Sequence, residues 1–284
     1  LYEPYSSLYM QFSKVVNYMH DPKWYYGIEY SKEMTRGYDF KEDLFVPGYF
    51  EVEIKKGESI VFSAGLQETD PAKLNSLFNK EVKTRVPRDS FENCLINAAQ
   101  QFFIQKDKKI DIIAGYHWFD ISSRDTFIAL PGLALTQNDT VAFLKAIDTM
   151  VSRRWGAFFP NSRINDEFVY NSVDAPLWFF WALQQYVIFT GDHATIWKKY
   201  KNVMATILEE FRKGTSFDVN MLDNGLLWAG TDNDVLTWMN VQFDHKPFIN
   251  RSGLAVEINA LWYNAINFYT ELARKYRKTE VVND

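Results

Sequence analysis

The stretch Leu177-Trp178-Phe179-Phe180-Trp181-Ala182-Leu183 is apolar on every side when wound as a helix. A helix with no polar face has to be packed on all faces, so the chain must wrap other elements around it. Asp174-Ala175-Pro176 precedes the run. Proline in a first helical turn costs no hydrogen bond, because that N–H has no intrahelical acceptor. A helix beginning near Asp174 is therefore predicted. Trp178 and Trp181 read as core residues of that helix before they read as a ligand platform.

Five more helical segments surround it in sequence. One spans about 91–105, with Cys94, Ile96, Ala98, Phe102 and Phe103 facing inward. A second follows Arg124, and a third starts at an Asn138-Asp139 cap and carries Val141, Leu144, Ile147 and Val151 at helical spacing. Two others span about 194–213, closed by Arg212-Lys213-Gly214, and about 254–276. Long, residue-rich loops at 114–124, 156–174 and 216–252 join them in pairs.

Residues 1–65 read differently. Leu8, Met10 and Phe12 alternate with Tyr9 and Gln11, and Phe50, Val52 and Ile54 alternate with Glu51 and Glu53. Period-two alternation is the pattern of half-buried strands. Pro47-Gly48 is read as a break and 48–63 as a hairpin turning at Lys56-Gly57-Glu58. These strands are too few to close a sandwich, and read as the last strands of an antiparallel domain. Residues 66–90 read as a linker with a short polar helix in its middle, and 91–284 as the helical domain.

A chain of 284 residues can bury a full core. A net charge of -5 and the want of a long basic run argue against a general nucleic-acid binder. No apolar span approaches the roughly 20 residues of a membrane helix. Cys94 is the sole cysteine, which excludes an internal disulfide and a cysteine zinc site, and its apolar neighbours suggest an inert core thiol. The four histidines have no metal-ligand spacing, so no metal or cofactor is expected. The first residue is Leu1 rather than Met, so a fragment of a longer chain is one expectation. Oligomeric state is not legible.

The loops concentrate aromatic rings beside carboxylates. Trp118, Asp120, Arg124 and Asp125 fall in the first, Tyr170 to Asp174 in the second, and Trp228, Asp232, Asp234, Trp238 and Asn240 in the third, with Arg251, Glu257 and Asn259 following. Flat apolar surface with fixed hydrogen-bonding groups suits a sugar ring, and glycoside hydrolysis adds a proton-donating carboxyl and a second carboxylate. Each residue also has a plainer reading. Asp174 suits a helix N-cap, Arg124 and Asp125 an exposed ion pair at a helix start, Glu257 a first-turn carboxylate, and Asp232 and Asp234 turn residues.

Gly115-Tyr116-His117-Trp118-Phe119 with Arg124-Asp125-Thr126, then Tyr170 to Phe179, Thr237-Trp238-Met239, and Gly253 to Asn264 resemble the C-terminal glucosidase domain of glycogen debranching enzymes (amylo-α-1,6-glucosidases). Arg36-Gly37-Tyr38-Asp39 and Phe45 to Phe50 resemble the end of the preceding β-domain. The resemblance implies an (α/α)6 toroid of the six-hairpin glycosidase type, incomplete in this chain. It also implies inverting hydrolysis of α-1,6-linked glucose at a trimmed branch point, with an α-glucan or related oligosaccharide as partner. Trp118, Arg124, Asp125, Asp174, Trp238, Arg251, Glu257 and Asn259 would then bind substrate. The family's general acid follows Thr-Trp-Met, where this chain has Asn240, and its general base has no counterpart before Asp284. Asp232 is one candidate to replace the acid. The alternative is a catalytically impaired glycan-binding relative.

Overall fold

The computed structural model describes residues 6–116, 119–164, 167–243 and 246–280. Contacts gather the chain into two compact units, Leu1–Pro87 and Arg88–Asp284.

The first unit holds β1 (Tyr9–Phe12), β2 (Asn17–Glu29), α1 (Ser31–Thr35), β3 (Lys41–Glu51), β4 (Phe62–Gly65) and α2 (Leu74–Thr84). β2 pairs antiparallel with β3, and β1 with β4. The turn at Lys56-Gly57 is present, closed by the Glu58 N–H on the Lys55 carbonyl at 2.9 Å. The hairpin expected over 48–63 is not, because the strands flanking that turn take partners elsewhere. Aromatic packing accounts for the choice. The Phe12 ring lies 5.0 Å from Phe50 and 4.8 Å from Phe62, and Phe50 lies 5.1 Å from Tyr18. One cluster thus draws residues of all four strands together. Nor does Pro47-Gly48 break a strand, since β3 runs through it. The ladder slips between His20 and Lys23, opposite the proline that cannot donate, and the Tyr18 hydroxyl donates to the Pro47 carbonyl at 2.9 Å. Gly48 sits so close to β2 that a Cβ would lie 2.2 Å from the Met19 carbonyl oxygen.

The second unit holds α3 (Phe91–Gln100), β5 (Phe103–Lys106), β6 (Lys109–Gly115), β7 (Phe119–Ile121), α4 (Ser123–Ala134), α5 (Thr140–Ser152), β8 (Ser162–Ile164), β9 (Glu167–Val169), α6 (Asp174–Thr190), α7 (His193–Lys213) and α8 (Val256–Glu280). Among the described residues the protein is mainly α, with small antiparallel sheets. All six expected helical segments of this unit are present. α3 stops at Gln100 rather than 105, and a three-stranded sheet β5-β6-β7 follows that was not foreseen. Its signal was the short alternation Ile110-Asp111-Ile112 behind a turn in which Asp107 takes φ 56°.

Two inward faces are corrected. On α3, Cys94 and Ala98 are exposed and Asn97 is buried, so the thiol is a surface group. On α5, Val141 is 62% exposed, whereas Ile147 is buried and Leu144 and Val151 pack against the core as expected, beside Ala142, Phe143, Ala146 and Met150. Successive side chains on a helix point roughly 100° apart, so the first residue of an inward stripe can fall in water while the rest of the stripe is covered. The Asp139 cap holds, its carboxylate accepting the Ala142 N–H at 2.8 Å.

α6 is the hub, packing against α4, α7 and α8. From Asp174 to Leu183 it is buried throughout, save that Trp178 and Trp181 are half-buried. Phe179 packs on Phe127 at 5.5 Å, Phe159 at 5.2 Å and Tyr200 at 6.0 Å. The Tyr200 hydroxyl donates to Asp148 at 2.7 Å, and burial, with that carboxylate, pushes its ionisation far above the ordinary tyrosine range. α6 ends at Gly191 (φ 72°), where its last residues, Ile188 among them, reach the surface.

The packing sets a contrast within one helix. Phe179→Ala should lose about 3–5 kcal/mol in chemical denaturation, whereas Ile188→Ala, at the exposed end, should stay within about 0.5 kcal/mol of the unsubstituted chain.

Candidate functional site

The head of α4 positions the first group. Ser122 stops β-type backbone and caps the helix, its hydroxyl accepting the Asp125 N–H at 3.3 Å. Consecutive helical residues point about 100° apart, so Arg124 and Asp125 diverge. Arg124 turns inward to the start of α6. Its Nε donates to Asp174 Oδ2 at 2.7 Å and its Nη2 to Asp174 Oδ1 at 2.9 Å, while Ser172 accepts from Nη2 at 3.2 Å. The two side chains are 11% and 2% exposed, which makes this a buried ion pair. Asp125 is exposed.

Two plainer readings fail on that geometry. Arg124 pairs with Asp174, not with its neighbour Asp125. Asp174 is not the N-cap of α6. Val173 holds that position, Asp174 lies in the first turn, and Ser172 Oγ accepts the Ala175 N–H at 3.2 Å. The Asp174 carboxylate is taken up by Arg124 and by the Ser172 hydroxyl instead.

A cavity of about 710 Å³ opens beside the pair. Arg124, Asp125 and Asn240 all line it. So do Asn161 and Asn171, and Asp120 and Arg163 at 3.2 Å from each other. Asn161 donates to the Asn171 carbonyl oxygen at 3.2 Å, leaving the Asn171 amide N–H groups uncommitted to it. Phe119 adds an exposed ring. Rigid donors, two carboxylates and a ring in one hollow can take up a polyhydroxylated ring through both its edges and its face.

A second cluster stands on the 236–257 loop. Glu257, in the first turn of α8, accepts from the Trp238 indole N–H at 3.2 Å and pairs with Arg251. Burial pushes its carboxyl upward. The Arg251 guanidinium, its own backbone N–H and the Trp238 indole outweigh that, and the carboxyl ends below the ordinary glutamate range. The Val173 N–H on the Leu236 carbonyl, at 2.8 Å, ties this loop to the start of α6, and Asn240 follows into the cavity wall.

The other expected residues have different duties or lie elsewhere. Asn259 spends its amide on backbone, accepting the Leu227 N–H at 2.8 Å and donating to the Leu227 and Ala255 carbonyls, both at 3.1 Å. Asp232 accepts from Asn250 at 2.8 Å and Ser252 at 3.2 Å, fastening two loop segments. Asp234 closes a turn onto the Thr231 N–H and hydroxyl, both at 2.7 Å. Trp118 lies outside the described residues. Ser172, Asn161 and Asn171 were not singled out by their types. The signal for them was position: Asn161 follows the buried run Ala157-Phe158-Phe159, and a polar side chain there needs a partner. Among the described residues no cluster of His, Cys, Asp and Glu is arranged to hold a metal, and no helix is long and apolar enough to cross a membrane.

Arg124, Asp125, Asn161, Asn171 and Asn240 thus share one polar, ring-edged cavity in a mainly helical unit. The comparison with known families is specific. The amylo-alpha-1,6-glucosidase family matches residues 96–282, and the N-terminal part of glycogen debranching enzyme matches residues 1–61. The chain belongs to the amylo-alpha-1,6-glucosidase, or glycogen debranching enzyme, family. No curated protein matches it in a direct sequence search.

Removing one partner of a buried pair strands the other charge. Arg124→Met should therefore lose about 3–5 kcal/mol of unfolding free energy. Glu257 adds a pH signature. Its folded-state pKa is lowered, so its contribution is present above the unfolded value of about 4.3 and is lost as pH falls through the folded value. The stability difference between the unsubstituted chain and Glu257→Gln should hold between pH 6 and 5 (about two and one units above that unfolded value) and shrink below about pH 4 in urea titrations.

Proposed function

We propose that the cavity at the head of α4 receives the terminal, α-1,6-linked glucose of a trimmed branch point in an α-glucan, as an inverting amylo-α-1,6-glucosidase would. The main support is the Arg124–Asp174 pair. Two guanidinium edges are committed to Asp174 and Ser172, and the Nη1 donors remain for the cavity that Arg124 lines. Asp125, Asn171 and Asn240 stand on the same wall. Trp118, Trp238, Arg251 and Glu257 complete the substrate-binding set in this reading, with Asn259 and Asp174 holding the loops and the arginine in place.

The same reading takes α3 to α8 as helices of an (α/α)6 toroid whose loops converge at one mouth. It takes residues 1–65 as closing strands of a β-sandwich-like domain, 66–90 as the connection and 91–284 as the glucosidase-type domain. Family membership supports the chemistry: one carboxylic acid protonates the leaving oxygen while a carboxylate activates water on the opposite face.

One observation favours a second reading, binding without turnover. Asn240 lines the cavity where the family pattern has the acid. An amide cannot give and recover a proton as a carboxyl does, a loss of about 10²–10⁴-fold. Asp232, held by Asn250 and Ser252, is not among the residues lining that cavity.

Glucose release from a maltooligosaccharide bearing one α-1,6-linked glucose separates the two. The full gene product should bind it with little release, and Asn240→Asp should raise release by about 10²–10⁴-fold. Equal, substantial release by both would place the acid elsewhere. Absence of binding by both would end the sugar reading.

A further inference from the structure

Ser172 has no exposed surface. Its hydroxyl donates to Asp174 Oδ1 and accepts from Arg124 Nη2 at 3.2 Å and from the Ala175 N–H at 3.2 Å. A hydroxyl owns one proton and two lone pairs, so these three bonds exhaust it. It has nothing left to offer a ligand and no surface on which to offer it. What it touches is informative: the arginine that lines the cavity, the carboxylate that holds that arginine, and the first turn of α6.

From this we infer that Ser172 is a positioning residue for the cavity, acting through Arg124. The carboxylate of Asp174 grips one edge of the guanidinium through its Nε and Nη2 N–H groups, at 2.7 and 2.9 Å. That fork fixes the two planar groups relative to each other, and what remains is for the forked pair to swing as a unit about the side-chain bonds of Asp174. The Ser172 proton fixes Oδ1, and the Ala175 N–H fixes Ser172 relative to the helix. The plane of the guanidinium is thereby set, and with it the direction in which the Nη1 donors of this cavity-lining arginine point. A preset donor meets its ligand without first losing rotational freedom. Ser172 therefore raises affinity for a hydroxylated ligand it never touches. The ligand class rests on the sugar reading above, but the locking of Arg124 does not.

Two measurements on the full gene product keep these apart. The first is rotation of the Arg124 guanidinium about its Nε–Cζ bond, followed by nitrogen NMR on arginine-labelled protein. Rotation should be slow in the unsubstituted protein and in Ser172→Thr, and at least about fivefold faster in Ser172→Ala, the worth of one lost hydrogen bond. The second is calorimetric binding of the singly branched maltooligosaccharide, which should weaken by about tenfold in Ser172→Ala and be restored in Ser172→Thr. A freely rotating Arg124 in the unsubstituted protein overturns the inference even if Ser172→Ala does not fold. So does a Ser172→Ala variant with both rotation and affinity unchanged, or one that binds the sugar as tightly as before while its arginine is loosened. If Arg124 is locked through Ser172 and the unsubstituted protein binds no sugar, the positioning stands and the sugar reading falls.

Discussion

The ion pair between Arg124 and Asp174 is the constraint on which the second unit's architecture and chemistry both depend. It joins the heads of two helices that are already packed along their length, α4 on α6. Apolar packing of that kind fixes distance but resists sliding poorly, because dispersion contacts have little direction. A forked guanidinium–carboxylate contact is directional, and it sets the register of the two helix heads. Buried charges cost several kcal/mol to desolvate, so such a pair is poor evidence for stability in itself. Here the arginine of the pair sits at the wall of a polar cavity, where a preset charge has a use that a leucine would not.

The frame around the pair was largely legible. α6 announced itself through a run with no polar face, and α7 through its basic last turn and Gly214. What failed were judgements that need a third dimension. The inward stripe on α5 was carried one residue too far, to the exposed Val141, and Cys94 was set in a core that α3 turns away from it. Strand pairing in the first unit failed for a different reason. Alternation specifies which side chains share a face but not which strand lies alongside, and the choice went to the cluster of Phe12, Phe50 and Phe62.

The site was legible in part as well. Residue type pointed to Arg124, Asp125 and Asp174, yet gave the wrong partner for the arginine and the wrong duty for Asp174. Neighbours in sequence are the natural guess for an ion pair, but on a helix adjacent residues point apart. Ser172, Asn161 and Asn171 carried no signal by type, because hydroxyls and amides are common in loops. Only the structure shows that Ser172 is enclosed and fully bonded, and that the two asparagines share a wall with Asn240. Asn240 is the reverse case: the sequence resemblance sets it at the acid's position, and under the proposed function its place on the cavity wall gives that position a chemical meaning.

The central claim is that this hollow is where a glucose unit is held, and a crystal structure of the full gene product with the singly branched maltooligosaccharide tests it most directly. The terminal glucose should lie in the cavity, with hydroxyls on the Nη1 donors of Arg124 and on the Asp125 carboxylate, and with the Arg124–Asp174 fork intact behind them. Sugar seated elsewhere on the chain, or in the cavity with Arg124 turned away from Asp174, would contradict it.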